Sequence, residues 1–331
     1  MMLTKELGDG HSFFNAKGDT LMNSFLGMRT IPMKTQFIEN KLVVTELIKG
    51  REEEYRVRIG DEIKTIGGRD VLEVFKEREN FFPSSNENTK LFNTMPFMLR
   101  TNSEELALEL RNGQKEFTEV LSTVHVKDFN YYEGALSSHK DIEENIGYIN
   151  IGALKQGELS SIMESYKNKQ GIVIDFRQYP MIDLGELMKF FTNKGVPFVK
   201  YSLPNKYNLG SENLSDESLT YGDANHYYSG KISVLVDENT MSAGEFYTMA
   251  LQTSPNVKVF GTQTAGADGN VSTLMLPGNI QVMFSGIGIY YPDGSETQKV
   301  GIKIDEYVCP TIEALKENRD LILEKGIENL L

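Results

Sequence analysis

The chain has 331 residues, 40% hydrophobic and 24% charged, the balance of a folded protein with room for two or three cores. Its formal net charge of −13 leaves no basic surface of the kind phosphate backbones require, which sets nucleic acid aside as a partner. The single cysteine, Cys309, excludes an internal disulfide and a cysteine metal cluster, and His11, His125, His139 and His226 are scattered with no H-E-x-x-H pattern; a metal site from distant ligands stays open, and nothing argues for one or for an organic cofactor.

Residues 1–30 are mixed and turn-rich, with "LGDGHSFFNAKGD" as their main feature. From 31 to 125 the chain breaks into short β-like runs: "KTQFIE", "KLVVTELI", "EIKTIGG", "ELALELRNGQ" and "FTEVLSTVHV". Turns at Glu39-Asn40 and Asn112-Gly113 separate several of them, which predicts a small, largely antiparallel β-domain. Phe81, Phe82, Phe92 and Phe97 are either core or the lining of a groove, and core is the reading preferred. The polar stretch "KDFNYYEGALSSHKDIEEN" follows and marks a boundary, leaving 126–331 as a second domain.

After Ile146 the hydrophobic period changes. "IGYINI", "GIVIDF", "PFVKYSL" and "ISVLV" are strand candidates, interleaved with the helical "LSSIMESYKN", "LGELMKFFTNK" and "AGEFYTMALQ". Strands alternating with helices predict an α/β fold with a largely parallel, helix-covered sheet. The tail "TIEALKENRDLILEKGIENLL" carries apolar residues at helical spacing and predicts a closing helix. No apolar run is long enough to span a bilayer, and the first residues lack an apolar signal core. The chain is therefore cytoplasmic or is exported by a signal outside these residues.

Ser242, in "VDENTMSAGEFYTMAL", falls between the "ISVLV" strand and the helix that follows. Ser242-Ala-Gly-Glu245 fits the S-x-x-E capping box, so the serine can be a helix cap. The same position, at the carboxyl edge of a parallel sheet and the mouth of a helix, also suits a nucleophile, because the helix dipole favours a developing oxyanion. Both readings stand on this pattern alone.

In chain order, "GDGHS", "RIGDEIKTIGG", "GIVIDFRQYP", "NTMSAGE", "VFGTQTAGADG" and "YPDGSETQKVGIKIDEYVCPT" closely resemble the serine proteases of the C-terminal processing protease and tricorn-core superfamily. That superfamily also includes interphotoreceptor retinoid-binding protein. The resemblance covers nearly the whole chain. It implies a crotonase-like protease core over 126–331 and a PDZ-like peptide-binding domain over 31–125. It also implies that 1–30 is the remnant of a longer N-terminal region carrying the "GDGHS" motif.

The resemblance places the nucleophile at Ser242. The branch with a Ser-Lys dyad has its lysine where this chain has Ala267, so the base implied is the tricorn-type histidine, His11. Gly10 stands where that branch has a serine, and Gln298 where it has the glutamate that assists the base. Gln298 can orient a partner but brings no charge. Backbone N–H groups of Met181 and Ala243 are the implied oxyanion hole, with Met181 and Ile182 replacing glycines after Pro180. Tyr179, Gly60 and Asp61 are the implied substrate-binding residues; Gly60-Asp61 taken alone reads as a hairpin turn, and the resemblance makes it part of a carboxylate-binding or edge-strand groove that receives extended peptide. Asp175 and Arg177 read as a structural ion pair or as lining of the cleft, not as part of the chemistry.

The function so implied is a serine endopeptidase acting on unfolded or C-terminal segments of peptide or protein substrates, in the bacterial envelope or outside the cell. The alternative is a catalytically impaired scaffold that binds peptide.

Overall fold

The computed structural model describes residues 5–15, 23, 25–47, 55–129, 137–208 and 210–331. The N-terminal motif runs into a two-residue strand, β1 (Phe14–Asn15), whose pairing partner comes far later in the chain. The β-rich part is an antiparallel sheet in the order β2 (Met33–Ile38), β3 (Lys41–Leu47), β4 (Glu62–Ile66), β5 (Glu105–Asn112) and β6 (Lys115–Ser122). The Glu39-Asn40 turn has φ of 52° and 61°, the left-handed pair that matches the twist of a two-residue hairpin. Leu108 and Leu110 on β5 are fully buried on either side of the exposed Glu109, as a one-faced sheet requires.

Two helices pack inside this unit that the β-like pattern did not announce. Helix α1 (Val71–Arg78) starts where the Asp70 side chain accepts the Leu72 N–H, and it buries Val71 and Val74 against Ile63 and Ile66. Helix α2 (Glu87–Thr94) starts where Asn86 accepts the Thr89 N–H. Each has eight residues, too short for a helical period to stand out from β-branched and aromatic content. Phe82 is buried and stacked on Phe97, whereas Phe92 lines a groove instead of the core.

In the second part, β7 (His139–Glu143) pairs antiparallel with β8 (Ile146–Asn150). From β8 onward the sheet is parallel, through β9 (Gly171–Asp175), β10 (Lys231–Val236), β11 (Val257–Gly261) and the short strand Glu306–Tyr307. Alternation decides which side chain meets which layer. Ile172, Ile174, Ile232 and Val234 face α3 (Leu159–Tyr166), α4 (Leu184–Phe191) and α5 (Ala243–Leu251). Val173, Leu235 and Phe260 face α6 (Leu321–Leu330) on the other side.

The tail is two helices, not one. A short helix, Ile312–Lys316, ends near Asn318 at φ 56°, and α6 follows from the Asp320 cap. Gly326 lets α6 lie close on the sheet, since a Cβ there would sit 2.8 Å from a Leu235 methyl carbon. A third, antiparallel sheet joins β12 (Val271–Leu276) to β13 (Ile280–Ser285) and β13 to β1. It carries the N-terminal motif to the mouth of the parallel sheet. No helix among the described residues is long and apolar enough to cross a membrane.

Candidate active site

Ser242 closes the connection from β10 to α5. Thr240 ties that connection down: its hydroxyl donates to the Phe176 carbonyl at 3.0 Å, and its own carbonyl accepts the Ala265 N–H at 3.0 Å. Ser242 itself has φ 53° and ψ −117°. A serine that only caps a helix takes an extended backbone at no cost, whereas this conformation is strained for a residue with a Cβ. A strained serine between strand and helix is the backbone of a nucleophile elbow.

The strain is held by Glu245, one turn into α5 and 0% exposed. Its carboxylate accepts from the Thr264 hydroxyl (2.6 Å), Gly266 N–H (2.8 Å), Ala267 N–H (3.0 Å) and Ser242 N–H (3.3 Å). Ser242 N–H also donates to the Ala267 carbonyl at 3.1 Å, so serine, helix start and the 264–267 loop form one unit. Burial pushes the Glu245 carboxyl up to about 7 against the pull of these donors. Beneath it, Asp268 is 2% exposed, and burial together with Glu245 holds its carboxyl well above the usual carboxylate range. Glu245 is therefore a structural residue of the elbow, as the capping-box reading has it.

His11 reaches the same place from the other end of the chain. Met283 N–H donates to the Phe13 carbonyl at 2.9 Å, and Phe14 pairs with Val282, which fastens the His11 loop along β13. Gly10 packs so closely that a Cβ would lie 3.0 Å from the Ala267 Cβ and 3.8 Å from the Met241 methyl. A serine at position 10 would crowd that contact, so the glycine fits this chain's Ala267. His11 is 4% exposed; burial holds its imidazole below its ordinary value, with Asp9 partly opposing, so it is a neutral base at neutral pH.

The partner of His11 differs from expectation. Gln298 Nε2 donates to Asp9 Oδ1 at 3.1 Å, while His11 Nδ1 lies 2.9 Å from the Ser285 hydroxyl. Ser285 in turn donates to Asp9 Oδ1 at 2.8 Å. Asp9 stood in the quoted "GDGHS" motif without a role, and Ser285, at the end of β13, carried no sequence signal. Only the pairing of β1 with β13 brings them together.

The two backbone N–H groups expected to form an oxyanion hole stand in different surroundings. Met181 N–H is already used, donating to the Ile151 carbonyl at 3.3 Å, so it is not a free donor in this state. Ala243 is the first residue of α5, and its N–H belongs to the donors a helix leaves unpaired at its start. Met181, 63% exposed, and Tyr179, also exposed, flank Pro180, whose Cδ lies 3.8 Å from where a Gly244 Cβ would be. The expected substrate residue Tyr179 and the expected oxyanion donor Met181 thus stand at the rim of the α5 N-terminus. Arg177 pairs with Asp175 at 2.6 Å and with Asp320 at 2.8 Å, the structural role expected of it.

Gly60 and Asp61 do not form a carboxylate-binding turn. Both are buried, and the Asp61 carboxylate accepts the Arg58 N–H (2.8 Å) and the Asn112 amide (2.6 Å) within its own unit. A Cβ on Gly60 would strike Lys316 at 2.4 Å, so the second part of the chain covers this turn. The groove of the β-rich part lies elsewhere, along the edge strand β2 and α1. It is about 470 Å³ in volume and is lined by Phe37, Leu72, Phe75, Phe92 and Met95, with Glu238 and Cys309 on its far wall. The β-rich part also reaches the site itself: Ser85 accepts the Gly10 N–H at 2.7 Å, and Asn86 donates to the Thr264 carbonyl at 2.8 Å.

Residues 145–308, which include Ser242 and its elbow, match the pattern described as "Peptidase family S41". This region belongs to peptidase family S41. Among curated proteins, the chain is 24% identical over 323 residues to the "Probable CtpA-like serine protease" of Staphylococcus haemolyticus, and 26% identical over 323 residues to that of Staphylococcus aureus strain N315. These alignments cover 93% and 92% of this chain but 58% of each relative, so the chain spans little more than half their length. Among solved structures, mature CPAF complexed with lactacystin superimposes with a TM-score of 0.72 at 12% identity, over 99% of this chain and 86% of that one. The photosystem II D1 C-terminal processing protease gives 0.50 at 17% identity, over 97% and 82%. These likenesses show a shared mixed α/β fold with β-rich regions. The S41 match adds the family of the region that holds Ser242.

Proposed function

We propose that the chain is a serine endopeptidase of the C-terminal processing type, in which Ser242 attacks a peptide carbonyl and His11 is general base and then general acid. The observation that carries this reading is the strained backbone of Ser242 at the entrance of α5, with the His11 loop packed against the same 264–267 unit. His11 removes the hydroxyl proton as the serine oxygen bonds to carbon, then returns it to the leaving amine. The Ala243 N–H and the α5 dipole stabilise the oxyanion. The second donor comes from the 179–182 segment once substrate draws Met181 N–H away from Ile151.

The finer architecture belongs to the same proposal: a crotonase-like core, with a PDZ-like unit whose β2–α1 groove takes an extended segment by β-augmentation. Substrates are unfolded or C-terminal peptide segments of proteins in the bacterial envelope or outside the cell. Intact mass after incubation with a fluorophosphonate probe tests the chemistry. Wild type gains one adduct, whereas Ser242→Ala and His11→Ala gain none; labelling of folded Ser242→Ala would overturn the assignment.

A second reading has one observation in its favour, the occupied Met181 N–H. If the oxyanion hole never completes, the chain binds peptide without cutting it. Saturable peptide binding with no adduct and no cleavage at high protein concentration would establish that outcome.

A further inference from the structure

We propose that Asp9 orients and charges His11 through the hydroxyl of Ser285, so that an Asp9–Ser285–His11 relay completes the site in place of a direct carboxylate partner. The inference rests on the Ser242–His11 reading above and concerns what makes that histidine a base. Asp9 is 7% exposed and surrounded by donors. Ser285 N–H (2.6 Å) and Ser12 Oγ (3.2 Å) serve Oδ2; Ser285 Oγ (2.8 Å), His11 N–H (3.1 Å) and Gln298 Nε2 (3.1 Å) serve Oδ1. Burial opposes ionisation, but these donors outweigh it and hold the Asp9 carboxyl below the usual carboxylate range. Asp9 is an acceptor only.

The proton positions follow from counting. Ser285 has one hydroxyl proton and two neighbours that could take it, Asp9 Oδ1 at 2.8 Å and His11 Nδ1 at 2.9 Å. Sent toward His11, it would leave the Ser285 oxygen against a carboxylate oxygen with no proton between them. Sent toward Asp9, it makes a charge-assisted bond. The Ser285 lone pair then accepts Nδ1–H of His11. This fixes the tautomer and leaves the Nε2 lone pair as the base. When Nε2 takes the Ser242 proton, the imidazolium keeps its Nδ1–H bond to Ser285, with the Asp9 charge one hydroxyl away. No proton leaves Ser285 or reaches Asp9.

A purely anchoring role is separable, because the Ser285 N–H to Asp9 bond already pins the His11 loop to β13 without the hydroxyl. Ser285→Ala keeps that anchor and removes the relay; Ser285→Thr keeps both. Among the described residues, two further charges lie near the His11 loop: Lys299, whose Nζ lies 3.3 Å from where a Gly8 Cβ would be, and Glu245, which binds the Ala267 N–H. Both remain in every variant.

The experiment pairs nitrogen-15 NMR of labelled histidine with kcat/KM on an unfolded protein substrate across pH 5–9. The wild type should show His11 protonated at Nδ1. Ser285→Ala should lose that fixed tautomer and about tenfold or more in kcat/KM, with a displaced acid limb, and Ser285→Thr should recover both. If Ser285→Ala keeps the Nδ1–H tautomer and the wild-type pH profile, Asp9 and Ser285 merely anchor the loop and the relay is wrong. Asp9→Asn should weaken the base in the same direction; should it fail to fold, Ser285→Ala decides alone. A wild type that neither cleaves nor labels with fluorophosphonate defeats the peptidase reading, and the tautomer measurement still judges the relay.

Discussion

The turn that carries Ser242 and the loop that carries His11 are each pinned by a buried carboxylate, Glu245 in one and Asp9 in the other. Glu245 is local to its serine and gathers backbone N–H groups from a loop about one helix away. Asp9 is local to its histidine but depends on Ser285 and Gln298, from the far end of the chain. Burial wins at Glu245, whose carboxyl is pushed up, while donors win at Asp9, whose carboxyl is held down. The comparison teaches that similar constructions can serve different jobs: one carboxylate holds a strained backbone, and the other, in the relay proposed above, supplies negative charge where a cation would form.

The largest effects should separate the chemistry from its supports. Ser242→Ala and His11→Ala should each cost about a thousandfold or more in kcat/KM, and the double variant should cost about as much as either alone. Steady-state kinetics on a cleavable peptide measure this; additive losses would mean that the two residues do not act on one step. Next comes Glu245→Ala, which strands the Gly266 and Ala267 N–H groups and the Thr264 hydroxyl. Each unpaired buried donor costs about 1–3 kcal/mol, so denaturant unfolding should show a loss of about 3 kcal/mol or more. A loss below about 1 kcal/mol would mean that the elbow does not need its carboxylate.

Glu245 also sets a pH dependence with a definite sign. Its carboxyl rises from 4.5 to about 7 on folding, so the native state holds that proton more tightly than the unfolded chain. The stabilisation is complete below 4.5 and fades as pH rises through about 7. The shift corresponds to about 3 kcal/mol. Asp268, raised in the same direction, adds to the slope. Unfolding free energy measured from pH 5 to 8 should fall, and Glu245→Gln should flatten the curve; an unchanged slope in that variant would assign the effect to other groups.

How much of this the sequence made legible varies with how local each feature is. The parallel sheet was readable because its strands are apolar runs of the kind only a two-sided burial produces, as in "GIVID", buried at every position. The Ser242 turn was readable as a strand-to-helix junction. Helices α1 and α2 were not, because eight residues span barely two turns and their apolar content suits strands equally well. The Gly60-Asp61 turn was misread because a tight turn looks the same whether it meets a ligand or, as here, Lys316. Asp9 and Ser285 escaped because their roles come from a strand pairing between residues 14 and 282, which no local pattern encodes.

Gln298 gives the smallest effect and the sharpest discrimination between the expected array and the one found. If Gln298 stood in for a glutamate that supports His11 directly, Gln298→Glu would restore charge and raise activity. The structure instead sets its amide nitrogen 3.1 Å from Asp9 Oδ1. A glutamate would place a second carboxylate against the first, and two such groups cannot both ionise cheaply at that range. One must take up a proton or swing away, and in either case Asp9 loses a donor that helps hold it ionised. Gln298→Glu should therefore lower kcat/KM several-fold at pH 8 and less at pH 6, where a shared proton relieves the repulsion. Gln298→Ala, which only removes a donor, should cost less than Gln298→Glu at pH 8. A rate increase in Gln298→Glu would place the assisting charge at position 298 and take it from Asp9.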